Sequence, residues 1–252
     1  MKQYIPNALT LLNLFCGTIA VIFAVNNQFV AAALFVFLGI FFDFFDGFAA
    51  RKLNVQSDLG VQLDSLADMV TSGVVPGIIM YKLLYLTIDF PEMSNEWTAS
   101  NSSWIGFKLA FLPLLGLCVT LASAYRLAKF NIDEDQQTYF KGLPTPANTL
   151  LIISLPLIIE FQNNDLINSI IVNKWFLIAL TFLSCYLLNS NIKLFALKFK
   201  NWGFKANATR YVFLFLCVLF LIVLQFAAIP LIIVVYIGMS VLDNLTSKLK
   251  NN

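Results

Sequence analysis

The stretch DFFDGFAARKLNVQSDLGVQLDSLAD, Asp43–Asp68, stands between two apolar runs, VAAALFVFLGIFF (30–42) and MVTSGVVPGIIM (69–80). Each run joins one end of the stretch to make a segment long enough to cross a bilayer, which takes about 20 residues in a helix. The aspartates therefore sit inside membrane segments, where a charge is costly and normally faces a bundle interior or a wet cavity. Their spacing is helical. Asp43, Asp46, Gly47 and Ala50 follow i, i+3, i+4, i+7, and Gly60, Asp64 and Asp68 follow i, i+4, i+8. Each set therefore shares one helix face. The polar link from Asn54 to Asp58 reads as a turn, so two antiparallel helices would aim four carboxylates at one another at one depth.

The rest of the chain fits this reading. Of 252 residues, 59% are hydrophobic and 12% charged. A soluble domain carries about twice that charge, and a disordered chain needs low hydrophobicity and high net charge. Apolar runs near 8–25, 29–49, 60–88, 104–128, 147–162, 173–192, 210–227 and 229–245 predict an all-α, polytopic bundle of about eight transmembrane helices. Pro144 and Pro146 mark a loop before the fifth run, and Pro230 a tight turn between the last two. Little remains for a soluble unit, so 1–252 reads as a single membrane-embedded domain. Its motif-bearing core covers about 4–147, with further helices over about 147–245. The N-terminal run continues without a small-residue cleavage site, which does not suit a signal peptide.

Basic residues orient such a chain. With the N-terminus inside, Lys2, Arg51, Lys52, Arg126, Lys129, Lys141, Lys193, Lys198, Lys200, Lys205, Arg210, Lys248 and Lys250 fall on the cytoplasmic side. Lys82, Lys108 and Lys174 fall toward the other, where the loop after the third run carries Asp89, Glu92 and Glu96. The expected topology is N-in and C-in. A net charge of +2 and no basic run with interleaved aromatics speak against nucleic acid. The chain has no His, which excludes His-based zinc sites and His general bases. Cys16, Cys118, Cys185 and Cys217 stand singly in apolar runs and read as small buried hydrophobes.

Four close carboxylates repel, and hard divalent cations relieve that repulsion. Mg²⁺ and Mn²⁺ take oxygen ligands and often share them with substrate phosphates. Gly47 and Gly60 let a bulky group approach the backbone, Ala50 keeps the same face open, and Arg51 can grip phosphate oxygens. Small residues on helix faces also serve packing, and intramembrane carboxylates also serve proton or cation transport. A transporter remains the alternative of a different class.

The pattern Asp43-x2-Asp46-Gly47-x2-Ala50-Arg51-x8-Gly60-x3-Asp64-x3-Asp68 resembles the signature of the CDP-alcohol phosphotransferases, with every position filled. That resemblance implies an integral membrane enzyme that moves a phosphatidyl group from CDP-diacylglycerol to an alcohol, uses two divalent metals and acts as a homodimer. It implies Asp43, Asp46, Asp64 and Asp68 as metal ligands, with Asp68 also the catalytic base. Asp43, Gly47, Ala50, Arg51 and Gly60 would line the CDP site. Two further segments resemble the phosphatidylserine synthase branch. They are Pro6-Asn7-x2-Thr10-x2-Asn13-x3-Gly17, and Arg126-Leu127-Ala128-Lys129-Phe130-Asn131 followed by Lys141-Gly142-Leu143-Pro144-Thr145-Pro146-Ala147. Lys129 stands where that branch often has Arg, which keeps the charge but loses a bidentate fork. The branch implies L-serine as acceptor, a bacterial cytoplasmic membrane and a site on its cytoplasmic side. Acceptor-site candidates are Asn7, Thr10, Asn13, Arg126, Lys129, Asn131 and Lys141. Basic side chains suit the serine carboxylate. A sister enzyme using glycerol 3-phosphate or inositol is the alternative within the family.

Overall fold

The computed structural model describes residues 4–88, 111–132, 139–162, 164–195 and 204–251. The acidic loop with Asp89, Glu92 and Glu96, and the 104–110 start of the fourth run, lie outside the described residues. The chain is an all-α bundle and an integral membrane protein. Among the described residues, five helical segments are long and apolar enough to cross a membrane, or six if the bent pair Asp165–Ile171 and Lys174–Asn189 makes one span. Thr145–Phe161 is a shorter apolar helix of 17 residues.

The elements follow the apolar runs closely. Helices α1 (Tyr4–Val25) and α2 (Phe29–Leu53) pack along each other, and α3 (Asp58–Asp68) packs on α1. A π-helical turn, Met69–Val74, joins α3 to α4 (Val75–Leu86). After α5 (Phe111–Leu114) and a short 3-10 turn comes α6 (Cys118–Ile132). Helices α7 (Thr145–Phe161), α8 (Asp165–Ile171), α9 (Lys174–Asn189), α10 (Phe204–Leu224) and α11 (Ala228–Asn251) complete the chain. Two three-residue strands, β1 (Tyr139–Lys141) and β2 (Lys193–Phe195), pair antiparallel with Lys141 opposite Lys193. This ribbon is a small addition to the expected all-helical fold.

Local chemistry sets the breaks. Asn27 and Asn54 both adopt left-handed backbone, with φ 59° and 52°, a conformation Asn tolerates better than most residues. Asn54 ends α2, and its N–H donates to the Ala50 and Arg51 carbonyls. Three residues later Ser57 starts α3 by accepting the Gly60 N–H at 3.1 Å. The polar link expected as a turn is therefore a C-cap followed directly by an N-cap. At the far end the turn between α10 and α11 falls on Gln225–Ala227, with Gln225 at φ 47°, rather than at Pro230. Pro230 lies in the first turn of α11, where its missing N–H costs little.

Each helix near the aspartates has two faces. On α2, Phe41, Phe44 and Phe48 are exposed, while Ala32, Ala33, Val36, Gly39 and Asp46 are buried. On α1 the buried row is Thr10, Asn13, Gly17, Ala20 and Ala24, at spacings of three and four. Small residues let membrane helices approach closely. That row packs α1 against α2 and brings its polar end beneath the aspartates. The apolar core continues through Val75, Ile79, Met80, Leu83 and Leu84 of α4 to Ile152 and Ile153 of α7.

Candidate active site

Asp43 comes from α2, and Asp64 and Asp68 from α3. One carboxylate oxygen of each lies within 4.8 Å of the others, all three groups being half-buried. Asp46 is not part of this triad. It is buried beside it, and its Oδ2 accepts the Thr10 hydroxyl at 2.5 Å. Three of the four expected aspartates therefore converge, and the fourth is turned toward α1. Among the described residues, Asp64 Oδ1 is buried with no hydrogen-bond partner. A buried acceptor left this way is unfavourable unless a cation, proton or water completes it. Hard oxygen donors with one orphaned acceptor fit a divalent cation such as Mg²⁺ or Mn²⁺. The acidic group is thus one that could hold a metal ion.

Asp46 and Asp64 also line a cleft of about 410 Å³. Gly47, Ala50 and Arg51 of α2 form one wall, and Gly60 with Ser57 the other. Asn7 and Thr10 of α1 form the floor. Gly47 lies beside the Arg51 guanidinium: a side-chain carbon there would meet Nη1 at 3.5 Å, an ordinary contact. At Gly60 such a carbon would lie 3.5 Å from the Asn7 amide oxygen, so α1 and α3 approach closely here. Of the five expected CDP-site residues, Gly47, Ala50, Arg51 and Gly60 therefore border one space adjoining the carboxylates, while Asp43 is not among its lining residues.

The remaining candidates separate into four groups. Asn7 and Thr10 belong to the cleft. Asn13 is fully buried and donates through Nδ2 to Asp68 Oδ1 at 3.2 Å. Asn131, at the end of α6, accepts the Ser65 hydroxyl at 3.1 Å, which brings α6 against the aspartate helix. Arg126, Lys129 and Lys141 line a second, smaller pocket with Leu188, Asn189 and Ser190. Arg126 is 9% exposed, and its Nη1 donates to the Lys141 and Leu188 carbonyls, both at 2.9 Å. Ser65 and Thr71 escaped the sequence reading. The only signal for Thr71 was a polar Thr-Ser-Gly step, 71–73, in an otherwise apolar run.

The model of CDP-alcohol phosphatidyltransferases matches residues 3–186, from α1 into α9. The chain belongs to the CDP-alcohol phosphatidyltransferase family. Among the family's relatives, a Bacillus subtilis (strain 168) protein named CDP-diacylglycerol–serine O-phosphatidyltransferase is 35% identical over 168 residues, 67% of this chain and 81% of that protein. A Methanocaldococcus jannaschii protein of the same name is 33% identical over 167 residues, 66% of each chain. One from Mycobacterium bovis is 32% identical over 160 residues, 61% of this chain, and the match spans about half (49%) of its length. The phosphatidyltransferase match takes in the aspartates, the cleft and the basic residues Arg126, Lys129 and Lys141, while Leu188, Asn189 and Ser190 of the smaller pocket, α10 and α11 lie beyond it.

Proposed function

We propose that the chain transfers the phosphatidyl group of CDP-diacylglycerol to the hydroxyl of L-serine, giving phosphatidylserine and CMP. The observation that carries this reading is the shared position of Asp64, in the carboxylate triad and on the wall of the Gly47–Arg51–Gly60 cleft. The names of the Bacillus, Methanocaldococcus and Mycobacterium relatives support serine as the acceptor.

In this reading the cytidine diphosphate enters the cleft. Arg51 holds phosphate oxygens, Gly47 and Gly60 admit the group close to the backbone, and the acyl chains remain in the bilayer. Asp43, Asp46, Asp64 and Asp68 would hold divalent cations, Mg²⁺ or Mn²⁺ and two in number. Such cations supply neutralisation of the diphosphate and of the charge that develops on it. Asp68 takes the serine hydroxyl proton as the serine oxygen bonds to the lipid-bearing phosphorus. The bond from that phosphorus to the CMP oxygen breaks, and CMP leaves with the electron pair. Lys129 and Lys141 border the smaller pocket and suit the serine carboxylate. The site faces the cytoplasm in this reading, and the active form is a homodimer.

Purified protein supplied with CDP-diacylglycerol and a panel of alcohols tests the reading through CMP release. CMP should appear with serine. Release only with glycerol 3-phosphate or inositol would move the chain to a sister branch, and no release with any alcohol would favour a transporter. EDTA should stop turnover, and added Mg²⁺ or Mn²⁺ should restore it. Turnover that persists through chelation would remove the metal from the mechanism.

A further inference from the structure

Asp68 is the last residue of α3, and three residues on, inside the π turn, lies Thr71. The two side chains are joined through a third. Thr71 Oγ1 donates to Asn13 Oδ1 at 2.8 Å, and Asn13 Nδ2 donates to Asp68 Oδ1 at 3.2 Å. Asn13 and Thr71 are both fully buried, so neither exchanges these partners with solvent. In this arrangement the amide NH₂ meets the Asp68 carboxyl group and the amide oxygen meets the Thr71 hydroxyl. The second acceptor within reach of the Thr71 hydroxyl is the Asn13 main-chain carbonyl at 3.2 Å, so both belong to the same residue.

Thr71 is itself held in place. Gly17 of α1 leaves the space that its hydroxyl occupies. A side-chain carbon on Gly39 of α2 would come within 2.8 Å of its methyl carbon and 2.9 Å of Asn13 Oδ1. Two glycines thus form a slot for one β-branched side chain, which has few χ1 choices to begin with. The π turn is tied from two other helices. Thr149 of α7 donates to the Ser72 carbonyl at 2.9 Å, and Thr120 of α6 to the Gly73 carbonyl at 3.0 Å. π turns inside α-helices are frequent at functional sites.

We propose that Thr71 is a positioning residue for the transfer reaction. Acting through Asn13, it ties one oxygen of Asp68 and leaves the other oriented toward the substrate and its cations. This rests on the role given to Asp68 under the proposed function. It gives Asn13, an acceptor-site candidate by resemblance, a different task.

The test compares Thr71→Val, which keeps the shape and removes the hydroxyl, with Thr71→Ser, which keeps the hydroxyl. Thr71→Ala removes the hydroxyl with less bulk, should valine crowd Gly17. Partners that orient a metal-site ligand are commonly worth about 10- to 100-fold in affinity or activity. Thr71→Val should lower kcat about tenfold or more while the KM for CDP-diacylglycerol stays within about threefold, and should weaken Mn²⁺ binding to the substrate-free protein about tenfold. Thr71→Ser should restore both. Wild-type kcat and Mn²⁺ affinity in Thr71→Val would overturn the proposal, as would a Thr71→Ser variant as impaired as the valine. Mn²⁺ binding, read by electron paramagnetic resonance, needs no acceptor. If wild-type protein releases no CMP with serine, the functional reading fails and the Mn²⁺ comparison still decides the relay.

Discussion

Arg126 illustrates how a side chain's partners decide between two tasks. A basic residue on the expected cytoplasmic side suits an anionic acceptor, yet its Nη1 is committed to the carbonyls of Lys141 and Leu188. It thereby ties the end of α6 to β1 and to the end of α9. Arg126→Met should leave both carbonyls without this donor, and a buried acceptor left unpaired costs about 1–3 kcal/mol. The expected result is a lower melting temperature in detergent. An unchanged melting temperature with a raised KM for serine would return Arg126 to the acceptor site. Asp68→Asn keeps the shape of the residue and removes its capacity to take a proton. Loss of a general base typically costs about 10²–10⁴-fold. kcat should fall in that range while CDP-diacylglycerol still binds, and turnover at the wild-type rate would take Asp68 out of the base role. The aspartates and Arg51 were legible in the sequence because charge is scarce in an apolar run. Thr71 was not, nor was its contact with Asn13, since a neutral polar residue in an apolar run carries little signal and the contact spans 58 positions.

At the scale of elements, helix extents were largely legible because apolar run length is set by the bilayer, and the described part of each run is mainly helical, the 60–88 run as α3, the π turn and α4. What the runs concealed are the interruptions. The run at 173–192 begins in the structure as α9, and α8 precedes it at an angle of 61°. Asn164 and Asn173 each cap a new helix, accepting the N–H groups of Leu166 and Ile167, and of Trp175 and Phe176. Hydropathy is blind to such caps. The π turn was concealed for the same reason, since its ties come from Thr120 and Thr149 on distant helices. Packing between elements was equally hidden. A side-chain carbon on Gly116 would collide with the backbone of Met80 and Tyr81, whereas one on Gly238 of α11 would meet nothing within 4 Å. Backbone yields less readily than a flexible side chain, and overpacking of this kind costs about 1–3 kcal/mol. Gly116→Ala should therefore lower the melting temperature, and Gly238→Ala should leave it unchanged or raise it slightly through helix propensity. Equal effects from the two would mean that α4 and the 3-10 turn before α6 are not closely packed.

At the scale of the whole molecule, the path of the chain bears on where its ends lie. The 35-residue helical stretch Arg210–Asn244 doubles back, since the Phe213 and Tyr236 rings are 5.5 Å apart across the Gln225–Ala227 turn. Gln162, just past α7, holds that turn by donating to the Leu224 carbonyl at 2.6 Å and accepting the Ala227 N–H at 3.1 Å. At the other end, Asn244 donates to the Lys193 carbonyl at 2.6 Å, which brings the end of α11 beside the β1–β2 ribbon. Ser65 with Asn131, and Arg126 with Lys141, tie that ribbon end to the aspartate end. Arg51, Lys52, Lys129 and Lys193 gather there as well, and positive charge favours the cytoplasmic side. The start of α1 and the end of α11 therefore belong to one end of the bundle, the end that carries the carboxylates. A fluorescent protein fused after Asn252 should fold and emit in cells, and alkaline phosphatase at the same point should stay inactive. The same phosphatase inserted between Asn26 and Gln28, in the turn at the opposite end of α1, should be active. An active phosphatase after Asn252 would place the two ends of the chain on opposite sides. It would break the link between the basic residues, the aspartates and a cytoplasmic supply of serine.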